Sequence, residues 1–561
     1  MREPLWLHTK RLLKDMIRGA VARAQKAGEI PAGTVGEIHL EVPQNREHGD
    51  LASNIALVSA GEFGLPPRQL AQAIVDRMAQ TDLLARVEVA GPGFINFFLG
   101  SNWYAKCLEQ IYGQGEEFPV LDWGSGRKIQ VEYVSANPTG PILVVQARAG
   151  AVGDSLARIL RRCGWDVQRE FYVNDAGTQV EMLARSLEAR YRQALGEEAE
   201  LPPAGYPGDY LVRMGQQLAK EEGRRLLQMS PEERLGFFRQ YAVERILNWQ
   251  KSSLERYGVT FDEWFRESQL HQQGMIEKAA QMLEQAGYTY ERAGALWFAS
   301  TRLGDDKDRV LRRRDGRWTY LAADIAYHLH KFERGFERVI DIWGPDHHGH
   351  ITRMKAAVQA LGFSKDALEV LIVQLVRLVR GNQLVRMAKR KGEYVSIDEL
   401  LDEVGSDAAR FFFLMRTVDS HLDFDLDLAR AQTSENPVYY VQYAHARVAS
   451  LRREAAKAQV KLPSPEDVRG ELLTDSSERA LIKQLALFPE AILGAAEQRE
   501  PHRIARYALE VATAFHAFYT RCRILGNDPQ LTAARFALAC CTGTVLRQAL
   551  YLMGVSAPES M

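Results

Sequence analysis

Residues 131–154 read VEYVSANPTGPILVVQARAGAVGD. A β-patterned run over Ile129–Val134 stops at Ser135–Pro141, SANPTGP, which continues neither strand nor helix. An apolar stripe then recurs at helical spacing: Val152, Leu156, Ile159, Cys163. The unit is strand, turn and helix start. That geometry aims unpaired backbone N–H groups at an anion. Glycine is sparse in the turn, so the anion reading depends on what surrounds it.

Outward from this unit, strands followed by helices continue to about Leu371: Val167–Val173, Val339–Trp343 and Val370–Leu375. Such alternation predicts a parallel, doubly wound α/β sheet. Long charged helical patterns such as Glu232–Arg256 interrupt it, and residues from about 185 to 290 read as a helical insertion. Before it, residues 1–115 open on a helical period (Leu5, Leu12, Leu13, Met16, Ile17). Strand patterns follow at Ile38–Val42, Val87–Val89 and Phe94–Leu99, which reads as a small α+β domain. Gly124–Gly126 marks a linker into the sheet domain, 116–375. Residues 376–434 carry a basic loop and the helical segment Ile397–Arg416. From Glu435 to Met561 every pattern is helical, and Ile504, Ala508, Val511, Phe515 and Phe518 share one face, as in an all-α bundle.

At 561 residues the chain is too long for one core, and three or four domains are expected. A net charge of −1 gives no global basic field, though local patches still serve nucleic acid. Five scattered cysteines without a CxxC pair give no disulfide framework, which fits a reducing, cytoplasmic setting. The N-terminal MREPLWLHTKRLLKD lacks a long apolar core and a cleavage site, so no signal peptide is expected. Nor does any apolar run read as membrane-spanning.

The run Val131–Gly140 resembles the opening of the catalytic domain in arginyl-tRNA synthetases of class I. The resemblance is collinear over the whole chain. Glu37–Asn54 and Val87–Leu99 look like the family's N-terminal domain, which touches the tRNA elbow. Gly304–Val310, Tyr320–His328, Gly344–Gly349 and Asp402–Arg416 look like its catalytic core. Asn436–Arg447 and the closing helices look like its anticodon-binding bundle. One motif departs. Where the family carries His-x-Gly-His, this chain reads Leu143, Val144, Val145, Gln146. Both histidines and the glycine are gone.

The resemblance implies a Rossmann-like catalytic domain and places the arginine pocket at Glu132, Asn137, Tyr320 and Asp324. A guanidinium is a fixed fork of N–H donors that carboxylates match. Tyr320 and Asp324 are four residues apart, so one helical face can present both. ATP is expected against Leu143, Val145 and Gln146, with Asp346 and His347 beside the adenosine. Leu143 donates no hydrogen bond, Val145 adds bulk under the base, and Gln146 donates through its amide. The loop Val385–Arg390, VRMAKR, resembles the family's KMSKR loop, with Arg386, Lys389 and Arg390 as its cations. Such cations offset charge on departing pyrophosphate. Gln146, Lys389 and Arg390 are therefore the catalytic candidates. Adjacent histidines in GPDHHGH lack the helical spacing of paired metal ligands, and no structural metal is expected. Tyr439, Tyr443 and Arg447 are the candidates for tRNA contact by stacking, with Tyr440 left to core packing.

The expected activity is ATP- and Mg²⁺-dependent ligation of arginine to tRNA(Arg) by a monomeric enzyme with no membrane partner. The overwritten motif keeps a rival open, a non-catalytic paralogue that binds tRNA or senses arginine.

Overall fold

The computed structural model describes residues 3–381, 383–385, 395–460, 463–526 and 528–561. At the N-terminus, strands Leu51–Ser53, Phe94–Leu99 and Leu84–Ala90 lie side by side in that order as an antiparallel sheet. The GPG turn closes the hairpin between the last two. The strand expected over Ile38–Val42 is a single bridge, Glu41 to Ala52. Pro43 follows and has no N–H for another rung.

The parallel sheet is as expected in kind. Its strands are β1 (Lys128–Glu132), β2 (Asp166–Val173), β3 (Glu263–Arg266), β4 (Arg338–Trp343) and β5 (Leu368–Ile372), in the order β5–β4–β1–β2–β3. The chain moves outward from β1 to β3 and then jumps to β4 on the other side of β1. Ligands of such sheets bind at that reversal, outside the carboxyl ends of the strands.

One boundary needs correction. The stretch from about 185 to 290 is not wholly an insertion, because β3 lies inside it and pairs with β2 at the sheet edge. Its sequence, EWFR, is four residues with charges at both ends, which is how short edge strands avoid pairing further. That polarity hides it among the flanking charged helices. Helices Thr178–Ala194, Asp209–Glu222 and Pro231–Arg256 build a separate small core around Leu187, Tyr191, Leu218 and Phe238.

Helix α1 (Val144–Arg162) packs against β1 so closely that a Cβ on Gly153 would sit 2.2 Å from the Tyr133 ring. Helix α2 (Tyr320–Glu333) covers the sheet near β4. Helix α3 (Ile397–Leu414) starts at a capping box, Ser396 with Glu399, and breaks at Gly405, whose φ of 76° and ψ of 166° suit glycine.

The C-terminal bundle includes α4 (Pro437–Lys457), α5 (His502–Arg521) and α6 (Pro529–Met553). By length and composition α6 is apolar enough to cross a membrane, yet 83% of its most apolar window is buried in the protein. Its C-terminal end docks on α1. Ser155 Oγ donates to the Leu552 carbonyl at 2.8 Å, and Arg410 Nε donates to that of Met553 at 2.8 Å. Arg410 also pairs with Asp154, both side chains fully buried. One continuous apolar core runs from the N-terminal domain through α1 and α3 into the C-terminal bundle, while α2 packs in a second cluster.

Candidate active site

A cleft of about 490 Å³ opens at the reversal between β1 and β4. Glu132, Asp324, Asp341, Trp343, Asp346 and His347 are among its lining residues. Glu132 ends β1, and Asp341 stands beside it in register on β4. Glu170 stands beside Glu132 on the other side, on β2. Three carboxylates thus form a row across adjacent strands.

The turn after β1 curls sharply, with positive φ at Val134 and Ser135. This brings Ser135 Oγ back to donate to Glu132 Oε1 at 2.9 Å, while the same oxygen accepts the Tyr172 N–H at 3.1 Å. Ser135 was not among the residues singled out from sequence, although it lies in the quoted SANPTGP run. The other Glu132 oxygen accepts from Lys331 Nζ. Burial raises the Glu132 carboxyl above its ordinary range, with Lys331 pulling it back.

Of the four residues expected around arginine, the cleft gathers Glu132 and Asp324. Asp324 Oδ2 lies 3.1 Å from His350 Nε2. Tyr320, at the first turn of α2, is 54% exposed and lines a larger neighbouring hollow of about 840 Å³ with Gly177, Arg266, Arg313 and Trp318. The two hollows meet at the bond from Tyr172 OH to Glu267 Oε2, 3.0 Å. Asn137 is exposed and donates to Gln179 Oε1 at 2.9 Å, outside the residues lining the cleft.

At the phosphate end, Leu143 precedes α1 and Gln146 sits in its first turn. Gln146 Oε1 accepts the Leu143 N–H at 2.7 Å. Val144 N–H is taken by the Val395 carbonyl at 3.1 Å, and Ile397 N–H by that of Ile142 at 2.8 Å. Leu143, Val145 and Gln146 are each partly exposed. The expected loop cations Arg386, Lys389 and Arg390 lie outside the described residues. The chain re-enters them at Val395, directly against the start of α1. Asp346 and His347 are exposed on the cleft rim, their charged atoms 3.5 Å apart. Among the described residues no three His, Cys, Asp or Glu side chains come together as a metal-ligand set.

On α4, Tyr439 and Tyr443 stack with centroids 6.1 Å apart. The Arg447 guanidinium lies over Tyr443 at 4.6 Å and over Tyr519 at 4.7 Å. Tyr443 is 37% exposed. Tyr440 instead packs on the core and against His516.

Three family descriptions match the chain in succession: arginyl tRNA synthetase N terminal domain over 11–99, tRNA synthetases class I (R), catalytic domain over 109–417, and DALR anticodon binding domain over 441–561. The central match, on a parallel sheet with its cleft at the chain reversal, defines the class as that of class I tRNA synthetases. An arginine–tRNA ligase of Moorella thermoacetica is 49% identical over 99% of both chains, and one of Heliobacterium modesticaldum is 48% identical over 98% of this chain and 99% of its own. The Thermus thermophilus arginyl-tRNA synthetase structure shares the fold, with a TM-score of 0.74 at 24% identity over 97% of this chain and 99% of that one. The chain belongs to the arginyl-tRNA synthetase family.

Proposed function

We propose that this chain activates arginine with ATP and transfers it to tRNA(Arg). In the first step the arginine carboxylate attacks the α-phosphorus of ATP, giving arginyl-adenylate and pyrophosphate. In the second the 3′-terminal ribose hydroxyl of the tRNA attacks the mixed anhydride and releases AMP. The observation that carries this reading is the cleft joining Glu132 and Asp324 with Asp346 and His347. It offers carboxylates for a guanidinium at one end and polar groups for an adenosine at the other.

In this reading the side chains bind and position rather than exchange protons. Glu132 and Asp324 supply negative charge for the guanidinium, and Tyr320 and Asn137 close the pocket from the neighbouring turn and hollow. Asp346 holds the ribose, with His347 beside the adenosine. Gln146, the first turn of α1 and the cations Arg386, Lys389 and Arg390 face the phosphates. Mg²⁺ arrives on ATP as part of the substrate. Tyr439 and Tyr443 take unpaired tRNA bases with Arg447 contacting the tRNA beside them, and residues 1–115 meet the tRNA elbow. We place the enzyme in the cytoplasm as a monomer. The rival, a non-catalytic paralogue, draws no support from the relatives, which are named as ligases.

Charging of tRNA(Arg) with labelled arginine tests the proposal. Arginyl-tRNA should form only when ATP is present. Charging with another amino acid, or none at all, contradicts it.

A further inference from the structure

The row of carboxylates on β2, β1 and β4 lacks an obvious reason to be stable. Glu170, Glu132 and Asp341 are in register on adjacent strands and buried. Like charges placed so repel. Helix α2 answers them from a single face. Lys331 is fully buried and donates to Glu132 Oε2, and to Asp341 Oδ1 at 2.8 Å. Arg334, just past the helix end, pairs with Glu170 at 2.7 Å, and Tyr327 OH donates to the same carboxylate. His328 Nε2 meets Asp341 Oδ2 at 2.8 Å and its Nδ1 meets the Asp324 carbonyl at 2.8 Å. The ring is thus held between the Asp341 carboxylate and the helix backbone. Lys331, Arg334 and His328 thus answer the carboxylate row, while Asp324 faces the cleft.

We propose that Lys331 is the positioning residue for arginine binding: its buried ammonium keeps Glu132 ionised and fixes one edge of it, so that the guanidinium meets a preset anion. This rests on Glu132 as a guanidinium partner. Lys331 does not occupy the place of the ligand. A carboxylate has about four lone-pair sites, and Lys331 and Ser135 take one on each oxygen of Glu132. The groups facing Glu132 are Lys331, Asp341, Glu170, Tyr172 and Tyr327. Lys331 is the cation among them. Burial, Asp341 and Glu170 all push the Glu132 carboxyl up, and Lys331 opposes them. Remove that ammonium and the buried carboxyl should hold its proton to higher pH. A neutral acid then meets the guanidinium without charge pairing.

The test is calorimetric titration of arginine into the full chain and its variants from pH 6 to pH 9. Affinities are expressed relative to the unmodified protein, which cancels titration of arginine itself. Lys331→Met should weaken binding at least about tenfold at pH 7, with the ratio recovering by about tenfold per pH unit above that. A loss that is the same at every pH, or no loss, overturns the proposal, because a packing role would not titrate. Lys331→Gln keeps hydrogen-bond donors without the charge and serves if the methionine variant does not fold. It should show the same slope, and a flat ratio again overturns the idea. Glu132→Gln is measured alongside. It has no titrating group at 132 and should lose affinity equally at every pH. If it binds arginine normally, the pocket reading falls and takes this inference with it. If it binds poorly while both Lys331 variants give flat ratios, only the role of Lys331 falls.

Discussion

Gln146 Oε1 caps the Leu143 N–H at 2.7 Å, so the side chain at the last position of the overwritten motif secures the start of its own helix. Capping interactions of this kind are worth about 1 kcal/mol. The cap uses the amide oxygen and leaves the Nε2 donor. One end of the side chain serves the fold, and in the proposed function the other serves a phosphate. The family's histidine is thus replaced by a residue with a structural duty of its own.

Restoring the motif separates these duties. Leu143→His with Val145→Gly and Gln146→His should raise ATP–pyrophosphate exchange by about 10²-fold or more, the usual scale for one preorganised donor. Arginine and tRNA affinities should stay within about threefold, since no mechanism for changing them operates at these positions. The lost Gln146 cap and the added glycine should together cost about 1–2 kcal/mol of helix stability, read as a lower Tm. An unchanged exchange rate would place any deficit beyond this motif.

In the proposed function the choice of amino acid is set by charge at Glu132. Glu132→Gln should weaken arginine binding by well over tenfold, from a cost of about 2–5 kcal/mol for an underpaired buried charge. Lysine should bind poorly, because an ammonium does not span the carboxylates that a guanidinium fork reaches. Citrulline should bind poorly for lack of charge. Calorimetry with the three ligands checks each, and equal affinity for citrulline and arginine would remove the carboxylates from the pocket.

Asp341 gives a pH signature in stability. Burial raises its carboxyl, but Lys331 and His328 outweigh it and hold the group at about 2. The unfolded value is about 3.9, so the folded state favours the ionised form. That contribution is complete above about pH 4 and is lost as pH falls toward 2. Asp341→Asn should therefore destabilise the protein by about 3 kcal/mol near neutral pH. Its Tm deficit should shrink steadily below about pH 4. A deficit that stays constant to pH 3 would show that packing, not charge, is what the aspartate supplies.

For tRNA, deletion of the C-terminal bundle is a poor test, because its core is continuous with the catalytic domain and α6 docks on α1. Point changes on the exposed stack are cleaner. Tyr443→Ala should cost about 1–3 kcal/mol of tRNA affinity if a base stacks there. It should leave the salt dependence unchanged. Arg447→Ala should weaken binding and reduce the salt slope by about one, if the guanidinium meets a phosphate. Filter binding across a salt series reads both. Unaltered affinity in both variants would move the tRNA surface elsewhere.

Much of the fold was legible because periodicity and punctuation agree. Ile129–Val134 alternates into a turn of Ser, Asn, Pro and Gly, and β1 ends at Glu132 with that turn after it. Phe94–Leu99 is a strand over the expected residues. What was hidden is hidden for physical reasons. The Glu263–Arg266 strand is too short and too charged to show a period. Pro43 cuts the ladder that Ile38–Val42 would have made. Most of the buried charge network was also missed, since a lysine or histidine in a helix ordinarily lies at the surface. A clue lay in RVIDIW, where Asp341 sits alone in an apolar parallel strand, a place a carboxylate occupies only with a partner. His328 and Lys331 are three apart on one face of the preceding helix, which is the spacing such a partner needs. Collinear motifs placed Glu132 and Asp324 together, but did not reveal that Asn137 and Tyr320 lie outside their cleft.

ATP–pyrophosphate exchange, run with arginine in the presence and absence of tRNA(Arg), tests the central claim most directly, because it isolates adenylate formation in the cleft. The expected result is exchange that depends on arginine, is not supported by lysine or citrulline, and falls by well over tenfold in Glu132→Gln at subsaturating arginine. Exchange driven equally well by another amino acid, or no arginine-dependent exchange under either condition, would contradict it.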